Sequence, residues 1–558
     1  MQKIILILIL MTLFPTAAEE INPKEITSSK IFMEISGKIH ITEGVNEITY
    51  SQTFPLEDAN QKILSFNSTP ESSLITDEKG NREIAFTWVL PRNSHEYENV
   101  LYYKINMEVE KKSFPVIFEK LNDTKEYLKN DNNITRWNNE IKTQAAELTN
   151  SDNDLINAAE MSFWIHENVV YDLNYSDTEK DASWVFENRK GVCDELSRLL
   201  ISMARSQDIP ARDVAGLVYN GEEWNAHAWA EIYYDSRWIS FDPTYNEMGF
   251  VDGAHIVFSR DANNALIREN IQWTGSVAGD LKGKWEDAEK MGEKVKGKTN
   301  EGVYNEKNEK IKFLKINKTK ILDANLVFND SEVGENTLIN ATLELKNLIN
   351  SPIIGTYDVF SVDEIRHLPG DKIFYMGPYS RKNLTLNFAV LKMENKNLKY
   401  FFPVIVKTFP YAAFESELSV DPGIITGVKI IIGSEFKVEA DIKNLNPAER
   451  EFNVNTCIKS NTKDYSNCTA KILNVSGNSN ETPEFLFKIP DGNYTLYIKA
   501  SSGESFNEFT RNVSIDRKIK IPEEFVEIPY TGRLRAEEFF IIIFLLMTII
   551  GICLLKKI

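Results

Sequence analysis

The chain has 558 residues, more than one hydrophobic core usually serves, so three or four domains are expected. It is 42% hydrophobic and 26% charged, an ordinary globular balance, but 82 acidic residues against 63 basic ones leave a formal charge of −19. Such a surface repels phosphate backbones and argues against nucleic acid as a partner.

Residues 1–18 carry a lysine at position 3, an apolar run from Ile4 to Phe14 and small residues at Thr16 and Ala18, the pattern of a secretory signal peptide. Alternating stretches such as "IFMEISGKIHI", "NEITYSQTF" and "NVLYYKINMEV" predict an N-terminal β domain over 19–115. From about Thr143 the spacing becomes helical, with a cap within Ser151 to Asp154 and an apolar face of Leu155, Ala158, Ala159, Phe163 and Ile165. A second helix starts at Cys193, with Leu196, Leu199, Leu200 and Met203 inward, and stops at "DIP", 208–210. Strands and tight turns follow, so 116–275 reads as an α+β domain. A lysine- and glutamate-rich stretch, 276–310, reads as a charged linker.

Two strand-rich segments, 311–415 and 416–515, echo each other. Each has a K-N-L tripeptide, at Lys346 and Lys443, a period that suits two immunoglobulin-like β-sandwiches. Residues 516–538 would be a stalk. Residues 539–555 are uncharged, with Glu537 and Glu538 before them and Lys556 and Lys557 after, the pattern of a single transmembrane helix with a short cytoplasmic tail. The bulk of the chain is therefore expected outside the cell. N-x-S/T triplets such as those at Asn67, Asn174, Asn340 and Asn493 suit that location. Cys457 and Cys468, eleven apart, could close a hairpin-sized loop there.

Cys193 is left to chemistry. At a helix start, unpaired N–H groups and the helix dipole favour a thiolate, so a lowered thiol pKa and a nucleophile are expected. A nucleophile needs a proton shuttle and the shuttle needs an orienting group. His227 and Asp242 are the candidates. With Asp235 and Ser236 as the turn, Trp229 faces Asp242 and His227 faces Thr244, so His227 and Asp242 are diagonal neighbours on one face of a hairpin. His166 and His255 show no comparable partner and are read as structural or exposed. Trp229, Trp238 and Arg212 are read as fold supports, Arg212 through a nearby carboxylate. No H-E-x-x-H, C-x-x-C or EF-hand loop appears, so no metal and no cofactor is expected.

"GVCDELSRLLISMARSQDIPARDVAGL" followed by "NAHAWAEIYYDSRWISFDPT" resembles the transglutaminase-like superfamily over roughly 140–260. The G-x-C step, I-P-A-R, H-A-W-x-E and W-x-x-x-D-P-T are all present. The resemblance implies a papain-like α+β core and a Cys193, His227, Asp242 triad acting on peptide or protein amides through a thioester. Hydrolysis is the expected outcome, since the tight loops leave no room for a tunnel that would keep water out. A protein-crosslinking amine transferase and a non-catalytic surface protein are the alternatives.

Overall fold

A computed structural model describes residues 21–41, 45–90, 100–113, 117–130, 133–176, 178–276, 280–288, 304–330, 332–395, 398–410, 412–462, 464–503, 505–517, 524–527 and 533–535. The expected signal peptide and membrane segment lie outside these residues. Among the described residues no helix is long and apolar enough to cross a membrane.

The molecule is mostly β and multidomain. Its N-terminal part is a pair of sheets built on alternating sequences. In Ser28–His40 every second side chain is buried along nearly the whole strand, as a strand with one face on a core requires. One sheet has the order Tyr304–Asn317, Ser28–His40, Val100–Lys112, Gln61–Thr69. The other runs Asp280–Ala288, Arg268–Ser276, Val45–Phe54, Arg82–Val89, Ser73–Thr76. Between them lie Ile31, Met33, Tyr50, Phe86, Tyr103 and Met107. The expected linker, 276–310, is therefore not a linker where it is described. Asp280–Ala288 pairs with Arg268–Ser276, and Tyr304–Asn317 pairs with Ser28–His40 over the whole length of the latter. The reason is positional: Tyr304–Asn317 is an edge strand, where lysines and glutamates are tolerated and discourage further pairing.

The α+β unit begins with helices α1 (Asn139–Leu148), α2 (Asp154–Asn168) and α3 (Ala182–Asn188). Each has a side-chain cap: Asn138 accepts from Ile141 N–H, Asn153 from Leu155 N–H, and Asp181 from Trp184 N–H. Helix α4 (Cys193–Ser206) follows, then strands β1 (Ala211–Tyr219), β2 (Trp224–Tyr234), β3 (Arg237–Asp242), β4 (Glu247–Met248) and β5 (His255–Asp261). They form one antiparallel sheet in the order β4, β3, β2, β1, β5, with the short strand Ile117–Phe118 also paired to β3. Helix α4 is almost entirely buried, because it lies between the other helices and the sheet. Its Leu196, Leu199, Leu200 and Met203 pack with Ala158 and Ile165 of α2 and Ile232, Ile239 and Phe241 of the sheet. Elsewhere the sheet meets the N-terminal sandwich through Ala215, Leu217, Ile256 and Phe258. Gly216 permits one close approach: a Cβ there would lie 2.0 Å from the Ile256 carbonyl oxygen.

Two further pairs of sheets follow, one around Leu343, Phe388 and Val406, the other around Val438, Phe485 and Ile498. The repeated K-N-L marks equivalent positions in them. Asn347 and Asn444 are both buried at strand ends, and each Nδ2 donates to backbone carbonyls, Ser351 and Gly377 in the first case and Ala448 and Val475 in the second. The Cys457–Cys468 disulfide joins directly opposed residues of the second pair. The expected stalk is partly folded. Glu524–Glu527 pairs with Ile425–Ile432, and Arg533–Arg535 pairs with Lys399–Phe409. The first sandwich also touches the α+β unit near the candidate site: Ile354 joins its core, and Asn246 Nδ2 donates to Thr356 Oγ1 at 3.3 Å.

Candidate active site

Three side chains, Glu195, Ser197 and Cys193, hold the start of α4. Glu195, in its first turn, accepts from Val192 N–H at 2.9 Å and Lys180 N–H at 3.1 Å, which ties the chain entering the helix to the preceding loop. Ser197 Oγ lies 2.7 Å from the Cys193 carbonyl and 3.1 Å from that of Ala228, so the helix start is bound to β2. The Ala228 N–H donates to Cys193 Sγ at 3.3 Å. The sulfur therefore sits beside the residue that follows His227.

Cys193 is fully buried, and the expectation of a lowered thiol pKa is reversed. Burial pushes the thiol well above its usual value. Asp194 adds to the rise, the Ala228 N–H opposes it, and Asp242 and Glu195 add further. The helix dipole that motivated the expectation is outweighed by desolvation and three carboxylates. At neutral pH the group is a thiol.

The β2–β3 hairpin has the expected register. Asp235 and Ser236 form the turn, both with positive φ, and the ladder pairs Tyr234 with Arg237 and continues to Ala230 with Phe241. His227 Nε2 and Asp242 Oδ2 are 2.6 Å apart, both buried. Asp242 Oδ1 accepts from the N–H groups of Thr244 and Tyr245 at 2.8 and 3.3 Å. Burial alone would raise this carboxyl, but His227, and then His255, hold its pKa well below the usual carboxylate range.

His255 departs from its reading as unpartnered. It is completely buried at the start of β5, with Nε2 3.3 Å from the same Asp242 Oδ2 and Nδ1 2.8 Å from Asp252 Oδ1. Glu247 Oε2 is 3.8 Å from that Nδ1 and accepts from Asp252 N–H. Burial opposes charge on His255, yet Asp252, Glu247 and Asp242 together raise its pKa to about 10. Burial, then Asp252, pushes Glu247 well above its usual value. The local signal for His255 is the spacing Asp252-x-x-His255.

His166 is tied to the Pro243 carbonyl through Nδ1, at 2.9 Å. Arg212 does bridge to a carboxylate, with Nε 2.7 Å from Glu231, and its guanidinium lies 4.0 Å from the Trp238 ring centroid. Trp229 and Trp238 are buried. Two described groupings bring ligand-type atoms within 4.8 Å of one another, His227 with Asp242 and His255, and Glu247 with Asp252 and His255. As arranged, imidazoles and backbone N–H groups already engage Asp242, Asp252 and one oxygen of Glu247.

A thiol at a helix start lies beside the β2–β3 hairpin that carries the imidazole–carboxylate pair, in the chain order Cys, His, Asp. Residues 142–243 match the family model of the transglutaminase-like superfamily. The chain carries a transglutaminase-like domain. It is 23% identical over 269 residues to the uncharacterized protein YebA of Bacillus subtilis (strain 168), covering 44% of this chain and 30% of that one. It is 34% identical over 103 residues to the protein-glutamine gamma-glutamyltransferase of Pseudomonas aeruginosa, covering 16% of this chain and 15% of that one. Less than a third of either relative's length is thus spanned. A candidate cysteine protease from Cytophaga hutchinsonii, of known structure, aligns with 52% of this chain and 93% of its own at 17% identity and a TM-score of 0.36.

Proposed function

We propose that this chain is a cysteine enzyme that opens amide bonds of peptides or proteins by way of a thioester on Cys193, and that water resolves the thioester. The observation that carries this reading is the 2.6 Å His227–Asp242 contact beside a thiol held by the Ala228 N–H. With Nε2 directed at Asp242, Nδ1 is the ring nitrogen left for the thiol. Because the resting thiol is neutral, its proton passes to His227 as sulfur attacks the amide carbonyl, and Asp242 stabilises the imidazolium that forms. The Cys193 backbone N–H, at the helix start, serves the oxyanion. His227 then protonates the leaving amine, takes a proton from water, and returns it to the departing sulfur.

Short loops favour water as the acceptor. Strands β1 and β2 are joined by residues 220–223, and β2 and β3 by Asp235 and Ser236 alone, so no insertion there walls off a dry channel for an amine. The name of the Pseudomonas relative favours a second reading, transfer of the acyl group to an amine. We place the enzyme outside the cell and attached to its membrane. The disulfide supports an oxidising compartment, and the apolar segments at both ends suit an exported, anchored chain.

The test is to incubate the protein with a peptide library and a primary-amine probe and read the products by mass spectrometry, with Cys193→Ala as control. Peptide cleavage or Gln-to-Glu conversion, absent from the control, is expected. Predominant amine incorporation would make it a transferase, and no Cys193-dependent product would remove the enzyme reading.

A further inference from the structure

His227 is not the sole imidazole on Asp242. His255 approaches the same carboxylate oxygen from β5, and its other nitrogen faces Asp252. A neutral imidazole donates through one nitrogen and accepts through the other, so a ring with a carboxylate at each nitrogen satisfies both only when doubly protonated. Around the ring lie Asp242 on β3, Glu247 on β4, Asp252 in the loop before β5, and the rings of His227, Trp229 and Tyr245 within 5.3 to 6.0 Å between centroids. Lys111 of the N-terminal sandwich is also buried and feels the charge of Asp252.

We propose that His255 is a positioning residue of this site: clamped as a cation between Asp252 and Asp242, it shares the Asp242 carboxylate with His227 and so moderates the hold of that carboxylate on His227. The proposal rests on the reading of Cys193, His227 and Asp242 as the catalytic set. Its physical content is charge balance. The buried Asp242 carboxylate favours the protonated ring at whichever imidazole it faces. A second cation on the same oxygen weakens its hold on His227. The high pKa of His255 agrees with the geometry.

The size of the effect follows from separation. The two imidazole centroids are 5.6 Å apart. At an effective dielectric of about 20, removing one unit charge at that distance raises the pKa of the other group by roughly 2 units, an upper figure because solvent and nearby groups relax.

The experiment is NMR titration of the full chain labelled with carbon-13 at histidine Cε1, with His227→Gln and His255→Gln assigning the two signals. In the unaltered protein, His255 is expected to keep its imidazolium shift through pH 8, and a midpoint near the ordinary histidine value of about 6.5 would overturn the proposal. In His255→Gln, the His227 midpoint is expected to rise by about 1 to 2 units, with a smaller rise in Asp252→Asn, which leaves the ring but removes its strongest anion. The acid limb of the rate profile should move the same way. A purely structural His255 would lower activity without moving the His227 midpoint, and that result in whichever variant folds would also overturn the proposal. These shifts are read without turnover, so they are independent of whether Cys193→Ala abolishes product.

Discussion

Asp242→Asn separates orientation from packing, because the two side chains have the same shape. Asp242 is fully buried and has four donors around it, two backbone N–H groups on Oδ1 and two imidazole nitrogens on Oδ2. Asparagine can keep its oxygen on the backbone side, but its NH2 then faces His227 Nε2 at what was a 2.6 Å contact. His227 relieves the clash by presenting a bare Nε2, which places its proton on Nδ1, where it cannot receive the thiol proton. A wrong tautomer costs about 10⁴ in kcat when other parts of a triad are intact. Losing two hydrogen bonds to a charged group, at about 1.5 to 3 kcal/mol each and partly replaced, should destabilise the unit by roughly 3 kcal/mol. For a unit of this size that is a fall of roughly 6 to 12 °C in Tm. Calorimetry gives the melt, and product mass spectrometry gives the rate. A variant within tenfold of the wild-type kcat/KM would refute the orientation argument, whatever its stability.

Alkylation of Cys193 by iodoacetamide at pH 7 should be slower than that of a small exposed thiol, since the sulfur is buried and its pKa raised; faster labelling would restore the thiolate account. The α+β unit should melt higher at pH 6 than at pH 9. His255 has a folded pKa near 10 against an ordinary 6.5, so its contribution is complete below 6.5 and is lost as pH rises toward 10, and a flat profile in calorimetry would contradict it. Replacing Cys457 and Cys468 by serine should cost the last sandwich about 3 kcal/mol, for a loop of 11 residues, without changing kcat, as a two-stage melt and a rate assay would show.

What was legible in the sequence was local. The His227–Asp242 contact could be counted outward from the Asp235–Ser236 turn, because a two-residue hairpin sets its own register. The start of α4 at Cys193 followed from the apolar stripe beginning at Leu196. The K-N-L repeat pointed to two equivalent strand ends, and both asparagines turned out to serve the same backbone role. What failed was non-local. The thiol pKa depends on burial created by the helices and sheet around α4, which no spacing reveals. His255 reaches Asp242 from β5, which β1 and β2 separate from β3 in the sheet order, so neither chain spacing nor strand pairing reveals the contact. The polar stretch up to Lys310 looked like a linker because an edge strand on a sandwich needs only one apolar face, and its partner, Ser28–His40, is more than 260 residues earlier. The Ser197 bridge from the helix start to Ala228 was likewise invisible until the two elements were placed together.

The proposed mechanism places an acyl group on Cys193 during turnover. Acid quenching of the protein within its first turnovers on the peptide library, followed by digestion and mass spectrometry, reads this directly. A hydroxylamine-sensitive mass increase is expected on the peptide containing Cys193, absent from Cys193→Ala, which also forms no product. Product formation by Cys193→Ala at more than a tenth of the wild-type rate, or an adduct on another residue, would contradict it.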